Sequence, residues 1–240
     1  MNRYLVYGVW LLLMASSPAW SSADAERLLL QAAADGDAAR VTRLIKEGAD
    51  VNQAHRPWEL TPLLVAVGAG EAVTRVLIRA GADVNAADRE GVTVLMKAVH
   101  GGDPAVVRRL LEEPALMVDT PGPRGNTALT YAILYGHAEM VEALIARGAD
   151  VNVARANGTT PKAIADHMHE LALAMPEGDA DQHAHHPPGP ADHGHHLRTR
   201  AEAVASYTRV LAVLDEAGAV SAPRQCHHDR GHKQPSPSHH

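Results

Sequence analysis

The feature that most constrains the fold of this 240-residue chain is a tetrapeptide that recurs along it. Ala-Asp-Val-Asn occupies residues 49–52, 82–85 and 149–152, and each copy follows a glycine. A threonine marker keeps the same register, with spacings of 32, 34 and 33 residues. These threonines are Thr61, Thr93, Thr127 and Thr160. A constant period of this size indicates a chain built from repeated supersecondary units.

Each repeat has the pattern of two short helices. In the fourth repeat, Thr127 can cap a helix through its hydroxyl oxygen, and apolar residues follow at helical spacing over 129–133. A second apolar stripe covers 140–145, and Gly148 can end that helix because glycine accepts the left-handed conformation. The sequence therefore predicts a helix pair in each period.

Two helices of this length cannot bury their apolar faces alone, whereas stacked copies share one core. We therefore predict an all-α solenoid of about five helix-turn-helix repeats joined by short hairpin loops. The repeats comprise residues 24–55, 56–88, 89–121, 122–155 and 156–219. The first repeat lacks the threonine, and the third ends in Val118-Asp119 instead of Val-Asn.

The last repeat carries an insertion between its helices. From the threonine to the closing glycine there are 21 residues in the fourth repeat (127–148) but 58 in the fifth (160–218). Pro176 is expected to end the first helix before apolar periodicity resumes further on. We expect residues 176–196 to form a disordered insertion and residues 220–240 a disordered tail.

Histidines are concentrated in this insertion and tail, which hold eleven of the sixteen. Imidazole suits zinc, copper and nickel, so these segments can bind such ions, although no cofactor is required by any motif. A solvated low-complexity linker with incidental metal affinity is the alternative, and the lone cysteine could be a ligand, an intermolecular bridge or neither. The candidate metal ligands are His183, His185, His186, His193, His195, His196, Cys226, His227, His228 and His232.

The N-terminus has the charged, apolar and small-residue parts of a secretory signal peptide over residues 1–23. The apolar stretch 5–14 is shorter than the roughly 20 residues that a membrane span needs. Cleavage is expected after Ala23, with Ala19 as the second choice. We expect an exported protein without a membrane anchor, in the periplasm first and secreted second.

Charge and motif content narrow the function classes. Removal of residues 1–23 leaves 21 basic against 28 acidic residues, a net charge of −7, which disfavours a nucleic-acid partner. The sequence contains no activated nucleophile, phosphate loop or zinc-enzyme helix motif. We therefore expect a non-enzymatic protein.

The repeated markers resemble those of the ankyrin repeat, with its period of about 33 residues and the Thr-Pro-Leu of residues 61–63. The resemblance covers about residues 24–219 apart from the insertion. It implies a gently curved stack whose hairpin tips and inner helix faces bind another protein. The histidine that the family carries after Thr-Pro-Leu is replaced in every copy. Its substitutes are Leu64, Met96, Thr130 and Ala163. Some exported bacterial ankyrin-repeat proteins that the chain resembles are linked to catalase, so an exported catalase is an expected client by analogy.

The candidate partner-binding residues lie at the predicted tips. The tip at 53–59 pairs Arg56 with Trp58, and such residues are enriched at binding hot spots. The alternative is that Trp58 folds back over the next repeat. Further tip candidates are Arg89, Glu90 and Arg124. We expect this tip to be irregular because Glu59 replaces the usual glycine, and also the tip before Thr127, which contains two prolines.

The remaining histidines offer weaker candidate sites. His167 and His169 lie two positions apart on a predicted helix, so they do not share a face. His137 follows a glycine between two helices, where a structural role is expected. For His100 and His55 the sequence identifies no partner.

Overall fold

The computed structural model describes residues 22–176 and 199–221, which form ten α-helices in five consecutive pairs. The helices are α1 Ser22–Ala34, α2 Ala38–Lys46, α3 Pro62–Ala66, α4 Glu71–Arg79, α5 Val94–Gly101, α6 Pro104–Leu111, α7 Ala128–Leu134, α8 Ala138–Ala146, α9 Pro161–Ala174 and α10 Arg200–Glu216. Within these two ranges the extended pairing consists of two isolated bridges, His55 with Leu60 and Ala87 with Thr93. The predicted all-α repeat solenoid is confirmed.

The threonine marker starts the first helix of the second to fifth repeats. Each hydroxyl oxygen accepts a hydrogen bond from the amide three residues later, at 3.2 to 3.4 Å. The four capping threonines are at most 8 % exposed. A buried hydroxyl needs a hydrogen-bond partner, so the cap satisfies both the threonine and an otherwise unpaired helix amide.

The helices pack in two rows. Each first helix contacts the first helix of the next repeat, from α1 through α9, and the second helices do the same from α2 through α10. One apolar core runs between the rows from Leu29 to Ala219. Its centre includes Leu63, Leu95 and Leu129, each no more than 2 % exposed. Stacking therefore supplies the burial that a single pair lacks.

The recurrent Ala-Asp-Val-Asn sequence joins neighbouring repeats. The Asn52 amide oxygen accepts from the Asp83 amide at 2.8 Å, while its nitrogen donates to the Gly81 carbonyl at 3.0 Å. Asn85 makes the same two bonds to Met117 and Ala115 in the third repeat, both at 2.8 Å. At the first two junctions the asparagine therefore both accepts from and donates to the next repeat.

The third junction differs because Asp119 occupies the position of the asparagine in Ala-Asp-Val-Asn. Its two carboxylate oxygens both accept from the Asp150 amide at 3.1 Å. An ionised carboxylate has no hydrogen to donate in return. Burial, and then the nearby Asp150 charge, raise the pKa of Asp119 above its ordinary value, although the amide bond opposes them.

The fifth repeat closes the stack with polar side chains. Lys162 occupies the position held by a buried leucine after each earlier threonine, and it pairs with Asp215 of α10. Ser221 donates to Asp166 at 2.9 Å, and the Thr160 hydroxyl donates to the Val220 carbonyl at 2.8 Å. Solenoids need such polar end repeats, because no further repeat covers their outer face. The ordered stack therefore includes the first two residues that we assigned to the tail.

The helices of the fifth repeat are longer than those of the other repeats. Ala172, Ala203 and Tyr207 form a second small apolar cluster between α9 and α10. The Tyr207 hydroxyl donates to the Leu134 carbonyl at 2.9 Å, which ties α10 to the end of α7. Thr199 starts α10 with a reciprocal capping box to Glu202.

Helices that could cross a bilayer were sought among the described residues. None of them combines the length and the apolar character that a membrane span requires. The predicted signal sequence and the histidine-rich stretches fall largely outside the described residues.

Candidate protein-binding face

Four hairpin tips lie side by side along the stack, at residues 53–60, 86–92, 119–126 and 153–159. Backbone hydrogen bonds join the first tip to the second, from the Arg89 amide to the Trp58 carbonyl at 2.9 Å. The third and fourth tips are joined likewise, from the Ala156 amide to the Arg124 carbonyl at 3.0 Å. We call these tips and the adjoining exposed sides of α5 and α7 the tip face.

Glycine allows the second and third tips to approach closely. A Cβ atom at Gly122 would lie 3.2 Å from the Gly91 carbonyl oxygen and 2.6 Å from the Met96 sulfur. The four tips therefore form one continuous strip along the stack.

All the predicted partner-binding residues are exposed on this strip. Trp58 is 55 % exposed, so more than half of its surface is open to solvent. Arg56, Arg89, Glu90 and Arg124 are also exposed. Their surface position agrees with the prediction, whereas their role in binding stays a prediction.

Two tips contain a non-glycine residue in a left-handed conformation. Glu59 has φ 55° in the first tip and Arg124 has φ 62° in the third. These are the tips that the sequence marked as irregular, and Arg124 lies in a short 3₁₀ turn, Pro123–Gly125. Such backbone conformations are unfavourable for residues with a Cβ atom.

A salt bridge fixes the second tip against α5. The Lys97 ammonium lies 2.9 Å from the Asp88 carboxylate, which also accepts the Glu90 and Val92 amides at 3.0 Å. Burial would raise the pKa of Asp88, but the hydrogen bonds from Lys97 and these amides outweigh it and lower that pKa. The ionised Asp88 carboxylate therefore holds the second tip against α5.

An aromatic cluster lies towards the C-terminal ends of α5 and α7, at the end of these helices that is away from the tips. The Tyr135 hydroxyl and the His100 Nδ1 atom are 2.8 Å apart, and their rings meet edge to face at 5.0 Å between centroids. Tyr131 stacks against Tyr135 at 6.4 Å, and His137 lies 5.9 Å away on the other side. Burial, and then Tyr131, raise the pKa of Tyr135, so its phenol is neutral at pH 7.

This cluster was not predicted from the sequence. The i, i+4 spacing of Tyr131 and Tyr135 on one helix was the available signal. The contact with His100 spans 35 residues and depends on the stacking of repeats, so local sequence could not identify it.

Several charges on the opposite surface, which we call the back face, form ion pairs. Arg108 pairs with Glu139 of the next repeat at 3.0 Å, and Arg209 with Glu142 at 2.7 Å. Arg109 forms ion pairs with Glu112 and Glu113, which directly follow its helix. The back face is therefore a solvated surface on which some basic groups have acidic partners, whereas Arg79 forms no ion pair with the described residues.

The back-face side of the stack also has an open hollow of about 410 Å³, between α6, α8 and α10. Ser206 and Met140 line it, together with Arg209. The Ser206 hydroxyl donates to the Gly136 carbonyl, so it is not hydrogen-bonded to a general base. The hollow does not contain an activated serine.

The candidate metal ligands, His183 to His196 and Cys226 to His232, lie outside the described residues. In the two described ranges, no group of three or more histidine, cysteine, aspartate or glutamate residues could hold an ion. His169 Nε2 lies 3.2 Å from the Thr208 hydroxyl, whereas His167 is exposed, so the two do not share a face.

Comparison with protein families gives one consistent result. A family model described as ankyrin repeats matches three overlapping stretches, residues 29–120, 75–155 and 102–172, which together cover more than half of the chain. No curated protein matches the chain significantly.

Proposed function

Because the chain belongs to the ankyrin-repeat family, we propose that it is a non-enzymatic scaffold that holds another protein on its tip face in the bacterial periplasm. Ankyrin repeats support a role in protein-protein interaction. The finer parts of the proposal, the face and the compartment, rest on this chain's own residues.

The observation that carries the proposal is the concentration of binding-type side chains on the tip face. Trp58 on the first tip is more than half exposed, and Tyr131 and Tyr135 form a partly exposed aromatic cluster at α7. Tryptophan, tyrosine and arginine are the residue types that dominate binding energy at interfaces. Backbone bonds between tips hold part of this surface in place, which reduces the entropy lost on binding.

The proposed compartment rests on the sequence of residues 1–23, which has the pattern of a signal peptide. An exported catalase is the first client to test, by analogy with the exported bacterial ankyrin-repeat proteins that the chain resembles.

Site-specific photo-crosslinking in bacterial cells tests the face. A photoreactive amino acid at Trp58 or at Tyr131 should give a discrete cross-linked adduct in the periplasmic fraction. The matched positions are Arg79 and Glu216, which are exposed on the back-face helices. Equal adducts from both faces, or adducts from the back face alone, would contradict the proposal.

A second candidate function is buffering or delivery of zinc, copper or nickel. Its support is that the far ends of α9 and α10 pack together, since Ala172 and Ala203 share one apolar cluster. The chain between them carries six histidines, at 183, 185, 186, 193, 195 and 196, and the two helices that it joins are held together at this cluster. Loop closure raises the local concentration of imidazoles, as linking does for any set of binding groups.

Replacement of residues 176–196 by a Gly/Ser linker of equal length tests this second function. Calorimetry with zinc at pH 7 should show the loss of most binding, and loss should also occur near pH 5 because imidazole is protonated there. If zinc binding persists in the linker variant, this loop is not the metal site.

A further inference from the structure

We infer that the tip face takes an acidic, extended segment of its protein partner, whose carboxylates pair with arginines of the tips. The inference rests on the proposed function and names the chemistry of the partner. It assigns the main contact to the third and fourth tips, around Arg124 and Arg155.

The first observation is that every tip carries an arginine without an acidic partner. Within the described parts of the chain, the ion pairs of the stack involve other basic residues, mostly on the back face. The tip arginines are Arg56, Arg89, Arg124 and Arg155. Together they give the tip face one basic group per tip that forms no ion pair with the described residues.

Taken together, the third and fourth tips have fewer acidic residues than the first two to offset their arginines. Glu59 lies on the first tip and Glu90 on the second, where Asp88 is already paired with Lys97. On the other two tips the acidic residue is Asp119, whose carboxylate oxygens are held by the Asp150 amide. Arg124 and Arg155 therefore have no opposing carboxylate on their own tips that is not already hydrogen-bonded.

The second observation concerns the side chain of Arg155. Its Nε–H is buried and has no hydrogen-bond acceptor among the described residues. A buried donor without an acceptor is costly, and the terminal amino groups of an arginine can also donate to an arriving carboxylate. Arginine presents a planar set of donors that matches a carboxylate in two-point contact.

The third observation concerns the backbone of Arg124. This residue has φ 62° and ψ 18°, and Gly125 beside it also has positive φ. A glycine at position 124 would avoid the strain, so stability does not explain an arginine there. Strain at an exposed, charged tip residue points to a role in binding.

Spacing favours an extended segment. Stacked helices lie about 8–10 Å apart, so neighbouring tips are separated by a similar distance. An extended chain rises about 3.3 Å per residue, so carboxylates about three residues apart match adjacent tips.

The test uses a fluorescent peptide of about twelve residues, with glutamate at about every third position, and its glutamine counterpart. Fluorescence anisotropy with the full chain should show that the glutamate peptide binds at least about tenfold more tightly, and that salt weakens it. Arg124→Gln with Arg155→Gln should weaken binding about tenfold or more. The matched control, Arg79→Gln on the back face, changes the same charge and should leave affinity unchanged.

A further variant separates binding from folding. Arg124→Gly should keep or raise the melting temperature, because it relieves the left-handed strain, and should still weaken peptide binding as Arg124→Gln does. The inference is overturned by equal binding of both peptides, by an equal loss in Arg79→Gln, or by unchanged binding in Arg124→Gly. It is also overturned if a single-stranded oligonucleotide of similar length binds as tightly as the glutamate peptide. None of these outcomes affects cross-linking at Trp58 and Tyr131, so the proposed function is tested separately.

Discussion

The fifth repeat and the four repeats before it bury their apolar side chains in different ways. In the fourth repeat, α7 has 7 residues and α8 has 9, and both lie within the continuous core. In the fifth, α9 has 14 residues and α10 has 17. Only one half of each long helix joins the main core, through residues such as Ile164 and Leu214, while the other halves form the separate cluster around Ala172, Ala203 and Tyr207.

This difference indicates two levels of stability within one chain. The stacked halves share apolar contacts with neighbouring repeats, so they should open only with the stack as a whole. The far halves of α9 and α10 rest mainly on each other and on the Tyr207 bond, so they should open locally at lower cost. The histidine-rich stretch is attached at this less stable end.

The largest expected effect comes from a core truncation in the stack. Leu129 is fully buried, and Leu129→Ala should lower the free energy of unfolding by about 2–5 kcal/mol because it leaves a cavity. Urea denaturation followed by circular dichroism measures this change. The matched substitution in the far half of α9 is Leu171→Ala, where the side chain is 49 % exposed and the cost should stay below about 0.5 kcal/mol. Similar losses in the free energy of unfolding for the two variants would contradict the two levels of stability.

A smaller change in the free energy of unfolding, of opposite sign, is expected at the third junction, where Asp119 replaces the asparagine. Asp119→Asn should stabilise the stack by about 1 kcal/mol at pH 7, because the new amide can donate to the Gly148 carbonyl as Asn52 does to Gly81. Matched denaturation of both proteins at several pH values measures the gain.

The pH dependence of this gain follows from the raised pKa of Asp119. A carboxyl group with a raised pKa in the folded state contributes most stability below its unfolded pKa, about 3.9, and loses it as the pH rises through the folded pKa. The advantage of Asp119→Asn should therefore be small near pH 4 and full at pH 7. A gain that grows as the pH falls would contradict the assigned direction.

Sequence predicted the parts of the molecule that depend on the repeat period. The helix pairs, the threonine caps and the irregular tips at Glu59 and Arg124 all follow from local patterns and are present in the structure. The function of the recurrent tetrapeptide was not predicted, because Asn52 acts on residues about one period away, in the next repeat.

The candidate site was predicted only in part, for the same physical reason. Exposed tip residues such as Trp58 could be identified from the turn positions alone. The contact of His100 with Tyr135, and the difference between paired and unpaired arginines, depend on which repeats face each other. Local sequence does not contain that information.

The smallest expected effect concerns the bond that ties the fifth repeat to the stack. Tyr207→Phe removes the hydroxyl that donates to the Leu134 carbonyl, and should cost about 1 kcal/mol. The loss should appear first as faster amide exchange in the far halves of α9 and α10, because these open locally. Tyr131→Phe is the matched control, since Tyr131 lies on the tip face and not in this cluster.

Burial raises the pKa of Tyr207, so the contribution of this residue to stability should be constant below about pH 10 and decline above it, as the unfolded state begins to ionise. Equal amide exchange in the two variants would show that the far halves of α9 and α10 do not depend on the Tyr207 bond.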